Sequence, residues 1–119
     1  MSSDKEYIDY IQDIILSCLD VKSFIKNSSK ENFCSDKKTI YATIRAIEII
    51  GEASKKIPLN IRSQYINIPW KEIAGMRDKL IHDYFGIDVE VLWKTAKYDV
   101  AYIKFEFEKI LKNIKKYKI

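Results

Sequence analysis

Four polar residues stand close together in the middle of the chain: Arg77, Asp78, His82 and Tyr84. His82 is the only histidine among 119 residues. An imidazole titrates near neutrality, so it can take up and release a proton at physiological pH. Arg77 carries a permanent charge on a planar fork of donors, a shape that matches a phosphate. Tyr84 offers a ring to stack on a base and a hydroxyl to bond a phosphate. Together these types suit proton transfer beside a bound anion. Each also has a plainer role. A histidine near a helix C-terminus is favoured there by the helix dipole. Arg77 can pair with Glu48, Glu52 or Asp78, and Tyr84 can be a core aromatic at a helix end.

The element that must position them runs from Pro69 to Gly86. Proline suits the first turn of a helix, glycine suits its end, and Asp88 suits the cap of the next one. The pattern predicts one short helix over about 70–83, followed by a turn from Tyr84 to Ile87. On that helix Asp78 and His82 share a face, so the carboxylate can orient the ring and favour its charged form. Arg77 and Tyr84 fall nearly in line, two turns apart. Arg77 and His82 lie about 140° apart by the helical period. Only the length of the arginine, or a helix that loosens before Gly86, brings both to one ligand. Ile73, Met76, Leu80 and Ile81 form the packing side.

The flanking segments read as helices too. Ser3 and Glu6 form a capping-box pattern before a stripe of Ile8, Ile11, Ile15, Cys18 and Leu19, widened by Ile14, Val21 and Ile25. This predicts a helix over about 4–26. Asn27 to Lys30 reads as a loop, and Glu31 to Asp36 as a polar connection with Phe33 tucked against the core. A second helix starts at Ser35 or Asp36 and carries Ile40, Thr43, Ile44, Ile47, Ile50 and Ala53 or Ser54 to Lys56. Arg45, Glu48 and Glu52 lie along one line of it. They are either support for Arg77 or a solvated ion-pair face. Gly51 inside this helix costs about 1 kcal/mol relative to alanine, which marks a close helix–helix approach, here against the Pro69–Gly86 segment. Pro58 opens a short helical segment to about Gln64, with Ile57, Leu59, Ile61 and Tyr65 facing inward. From Asp88, Val89, Leu92, Trp93, Ala96, Val100, Ile103, Phe107, Ile110, Leu111 and Ile114 hold helical period without interruption, with a bend near Tyr98-Asp99. Lysines at its C-terminus complement the dipole.

Length and composition fit a single domain over residues 1–119, all-α, a bundle of two long antiparallel helices, short central helices and a long last one. Pro and Gly number two and three, which argues against a turn-rich β fold. Net charge is +4, mildly favourable to a polyanionic partner. Cys18 and Cys34 have no metal-ligand spacing, so no metal and no cofactor are expected, and both read as reduced thiols in a cytoplasmic protein. No apolar run reaches membrane-spanning length.

The spacing Arg77, four residues, His82-Asp83-Tyr84 resembles the signature of HEPN-domain ribonucleases. More closely, it is similar to the HepT-like toxins that pair with a minimal nucleotidyltransferase antitoxin in type VII-like systems. The surroundings agree: Glu48-Ile49-Ile50-Gly51-Glu52-Ala53, Ile68-Pro69-Trp70, Gly75-Met76-Arg77, Tyr84-Phe85-Gly86-Ile87-Asp88 and Leu92-Trp93. The resemblance is continuous from about Arg45 to Trp93 and extends at lower specificity to both ends. It implies the helical bundle, a homodimer whose composite cleft holds both copies of the motif, and an RNA substrate such as tRNA or mRNA. It also implies silencing by AMPylation of the motif tyrosine, here Tyr84. Phosphates placed there would fill the site of Arg77 and repel RNA.

The residues fit metal-independent RNA cleavage on chemical grounds. The 2′-hydroxyl attacks the adjacent phosphorus, histidine moves protons, and arginine stabilises charge on the phosphorane. The reaction wants both an acid and a base, and one chain holds one His. A two-fold dimer supplies the second. Trp70, Tyr84, Phe85 and Trp93 are candidates for that interface, with core packing as the alternative for each. A different class of function is a non-catalytic RNA- or nucleotide-binding subunit of a nucleotidyltransferase. A third is a helical protein whose motif is structural. Cleavage, binding without cleavage, and neither would separate the three.

Overall fold

A computed structural model describes the backbone of residues 3–82 and 86–117. The side chains of the paired cap residues Ser3 and Glu6 and of His82, and the motif residue Tyr84 and the interface candidate Phe85, lie outside what the structure describes. The apolar stripe predicted for the first helix makes α1, Ser3–Ile25, with Ile11, Ile14, Cys18 and Val21 buried. Leu19, expected inward, is 41% exposed on the far side. The chain turns at Asn27, in the left-handed region at φ 64. The expected polar connection instead contains a helix, α2, Lys30–Cys34, capped by the Ser29 hydroxyl accepting from Asn32 N–H. Its Phe33 is fully buried, with its ring 5.2 Å from that of Trp93.

Asp36 caps α3, Lys37–Lys56, by accepting from the Thr39 N–H. Every position of its predicted stripe from Ile40 to Ser54 is buried. α3 packs along α1, and the last helix packs along α1 as well. The short α4, Leu59–Arg62, follows Pro58. Ile57 and Ile61 enter the core, but Leu59 points to solvent, because a single turn can present only part of its surface inward.

The last helix runs unbroken from Val89 to Tyr117. It begins as α6, Val89–Lys94, capped by Asp88, widens into a π turn over Thr95–Asp99, and continues as α7, Val100–Tyr117. The wide turn falls where the bend was expected. Leu92, Trp93, Ala96, Val100, Ile103, Phe107 and Ile110 are all buried. Trp93 is therefore a core residue rather than an interface candidate. Trp70 is half-buried, its ring edge-on to Phe107 at 5.5 Å and its Nε1 donating to the Tyr65 carbonyl at 3.1 Å. None of the helices among the described residues is long and apolar enough to cross a membrane.

The central segment departs from the expected single helix. α5 covers only Trp70–Ala74. A 3-10 turn follows over Met76–Lys79, and then a minimal antiparallel hairpin of β1, Ile81–His82, and β2, Gly86–Ile87. Ile81 pairs with Ile87 and His82 with Gly86. The break begins at Gly75, which ends α5, while Ile73, Met76 and Leu80 are each drawn into the core. These three are the packing side expected of the segment, and they stay inward although the α-helix gives way to a 3-10 turn after Gly75. Beyond it the Leu80 carbonyl accepts from the Asp88 N–H at 2.8 Å, which ties the hairpin to the start of α6. Gly86 sits at φ +84, a conformation that side-chain-bearing residues seldom adopt.

Candidate active site

Two elements build the site. α3 contributes the line predicted from the sequence, Arg45, Glu48 and Glu52, and the same line continues to Lys55. The α5–3-10 junction brings Arg77 and Asp78 against it. The close approach is made possible by Gly51. A Cβ there would stand 3.3 Å from the Ala74 carbonyl oxygen and 3.4 Å from that of Ile73. These residues enclose a cleft of about 300 Å³ lined by Arg45, Glu48, Glu52, Lys55, Arg77 and Asp78, with Gly51 and Ala74 at its floor.

Arg77 donates from Nε to Glu48 Oε2 at 2.9 Å, and its Nη1 lies 3.8 Å from Asp78 Oδ1. Arg45 reaches the other oxygen of Glu48, with Nη1 to Oε1 at 3.6 Å. Glu48 thus sits between two guanidinium groups and is the more buried partner of the Arg77 pair. Glu52 pairs with Lys55 at 3.4 Å and makes no bond to Arg77. Three cations and three carboxylates share the cleft. Both guanidinium groups remain partly open to solvent, so an anion can reach them.

The hairpin changes how His82 relates to the others. Asp78 lies in the 3-10 turn and His82 on β1, so they do not share a helical face as expected. The predicted separation of Arg77 and His82 around a helix also lapses. The backbone turns between them, where a single helix over 70–83 was expected and a helix that loosens before Gly86 was one of the alternatives left open. Arg77 and Tyr84 do not lie two turns apart on one helix, and Tyr84 falls outside the described residues. Lys55 was missed from the sequence, although it stands three residues beyond Glu52 on the same helical line. Among the described residues no three His, Cys, Asp or Glu side chains converge as metal ligands would. Cys18 is remote from the cleft, and burial pushes its thiol up to about 12.

The fold and the cleft define a helical-bundle protein that joins arginines from two elements on one carboxylate, beside a hairpin carrying its only histidine. Residues 8–113 match the family model described as Ribonuclease HepT-like. The chain is 52% identical over 105 residues to "Putative RNase MJ1216" of Methanocaldococcus jannaschii, covering 88% of this chain and 87% of that protein. It is 50% identical over 108 residues to "Probable ribonuclease HepT" of Thermococcus cleftensis, covering 91% and 98%. It is 39% identical over 106 residues to "Putative RNase TTE0752" of Caldanaerobacter subterraneus subsp. tengcongensis, covering 89% and 95%. No solved structure gives a significant match. The chain belongs to the HepT-like ribonuclease family.

Proposed function

We propose that the protein is a metal-independent endoribonuclease, the toxin of a toxin–antitoxin pair. The observation that carries this reading is the 2.9 Å pairing of Arg77 with Glu48 across two elements, a few residues before His82. A guanidinium already held in place needs little reorganisation when charge develops on a phosphate. Arg77 binds the scissile phosphate, with Arg45 beside it. Glu48 positions Arg77, and Asp78 and Glu52 support the cleft. The substrate's 2′-oxygen forms a bond to phosphorus as the bond from phosphorus to the 5′-oxygen breaks. One proton leaves the 2′-hydroxyl and one reaches the 5′-oxygen, leaving a 2′,3′-cyclic phosphate and a 5′-hydroxyl. His82 handles these protons.

The reaction wants both an acid and a base, and each chain carries one imidazole. A homodimer that faces two copies of the hairpin into one cleft supplies both. A minimal nucleotidyltransferase partner silences the enzyme by transferring AMP to the Tyr84 hydroxyl. The added phosphates compete for Arg77 and repel the RNA backbone. The test is incubation of the purified, unmodified protein with tRNA and messenger RNA in EDTA. Cleavage that ends in cyclic phosphates supports the reading. Intact RNA, with the protein folded and dimeric, would turn it toward a binding subunit.

A further inference from the structure

A second groove opens beside the cleft. It has a volume of about 490 Å³, and Lys55 and Ala74 line both. Its charged lining is Lys55, Arg62 and Lys71, with no carboxylate among the lining residues. Arg62 and Lys71 form no ion pair among the described residues, and Arg62 Nε is buried without a hydrogen-bond partner. Between the cations lie apolar surfaces: the half-buried Trp70, Leu59 at 71% exposure and Ile66 at 85%. The 300 Å³ cleft is charge-balanced, whereas its neighbour carries unbalanced positive charge and exposed apolar area.

We propose that this groove is a subsite for the single-stranded RNA that flanks the scissile phosphate, a role that rests on the ribonuclease reading of the adjoining cleft. Cations that track a backbone, interleaved with flat apolar and aromatic surface for bases, are what sequence-tolerant binding of single strands requires. Continuity through Lys55 and Ala74 lets one strand run from the cleft into the groove. Lys55 is the hinge of this arrangement, since its partner Glu52 belongs to the cleft. Two unpaired cations in the groove add affinity that falls with salt and is indifferent to base identity.

The test separates binding from cleavage. Binding is read by fluorescence anisotropy with a mixed-sequence 2′-O-methyl RNA of about twelve nucleotides, which lacks the attacking hydroxyl. Cleavage is read on the dinucleotide UpA, the shortest RNA with a scissile phosphate and no further nucleotides to flank it. The variants are Lys71→Glu, at an exposed position, and the double variant Arg62→Gln/Lys71→Glu, each matched to wild type in circular dichroism and melting. The expected result for the double variant is about tenfold weaker oligonucleotide binding near 0.1 M salt. The slope of log affinity against log salt should be shallower by about 1.4, with UpA cleavage unchanged. Unchanged affinity and slope in both variants would overturn the proposal. So would unchanged RNA affinity with loss of binding to the nucleotidyltransferase, which would make the groove a protein-docking surface. If wild type cleaves neither RNA nor UpA yet binds the oligonucleotide, the ribonuclease reading fails. The groove is then judged by the binding arm on the same terms.

Discussion

Glu48 and Arg77 stand 29 positions apart in the chain and meet at 2.9 Å. The pair joins the middle of α3 to the 3-10 turn that leads into the hairpin of His82. Arg45 approaches the second carboxylate oxygen at 3.6 Å, so one acid fixes two cations.

Glu48 is therefore expected to act on catalysis rather than on folding. Partly exposed ion pairs contribute about 0–1 kcal/mol to stability. Glu48→Ala should melt within a few degrees of wild type while lowering kcat on RNA about 10- to 100-fold, through loss of the preset guanidinium. Glu48→Gln keeps an acceptor for Nε and should recover part of the loss. Steady-state kinetics beside thermal melts checks this; a variant with normal kcat would make the pair a surface contact only.

Gly51 sets the distance between α3 and α5. Gly51→Ala gains about 1 kcal/mol of helix propensity and meets the Ala74 carbonyl, where overpacking costs about 1–3 kcal/mol. The net expectation is a loss of about 1 kcal/mol, with cleavage reduced further because Arg77 follows directly on the displaced turn. Chemical denaturation and cleavage rates on the same preparation test it. An equal or higher stability with full activity would show that α5 yields freely.

Tyr84→Phe removes the hydroxyl that accepts AMP under the proposed regulation. The variant should still cleave RNA but escape the nucleotidyltransferase. Intact-mass measurement after co-expression should find wild type carrying adenylate and the variant without it. Adenylate on the variant would move the acceptor to another residue.

Cys18 links stability to alkaline pH. Burial, opposed by the positive charge of Lys104 and aided by Glu108, pushes its thiol from 9.0 up to about 12. Below 9.0 the thiol is protonated in both folded and unfolded chains. Above it the unfolded chain releases the proton and the folded chain does not, so stability falls as pH rises from 9.0 toward about 12. The loss reaches about 1.4 kcal/mol near pH 10. Comparing denaturation of wild type and Cys18→Ala at about pH 8 and about pH 10 isolates this part, since other titrating groups are common to both. An identical pH response in the two proteins would contradict it.

The long helices were legible because their apolar periods run for several turns. The stripe of α3 from Ile40 to Ser54 and that of the last helix from Leu92 to Ile110 are buried as read. Gly51 was legible for the same reason: a glycine in a strong helix needs a close neighbour to explain it. The segment from Trp70 to Ile87 was not. Its pattern fits a helix, and Ile73, Met76 and Leu80 are buried on the side so read, but the helix ends at Ala74 and gives way to a 3-10 turn and a hairpin that apolar spacing does not encode. The hairpin rests on two residue pairs and on Gly86, too little for a period of two to register. Leu19 was placed inward as the edge of the first helix's stripe and Leu59 as part of a short helical segment, and both are exposed. In the site, Glu48, Glu52 and Asp78 were the possible partners of Arg77. The packing of α5 on α3 brings Glu48 to the Arg77 Nε, Asp78 lies within ion-pair reach of the Arg77 Nη1, and Glu52 pairs with Lys55 instead.

The central claim is that His82 moves protons in RNA cleavage without metal. The direct measurement is cleavage of tRNA and messenger RNA in EDTA by wild type and His82→Ala side by side, both shown by mass to be unmodified and by sizing to be dimeric. Cleavage by wild type alone is the predicted result. Equal cleavage by His82→Ala would remove the imidazole from the mechanism and contradict the account.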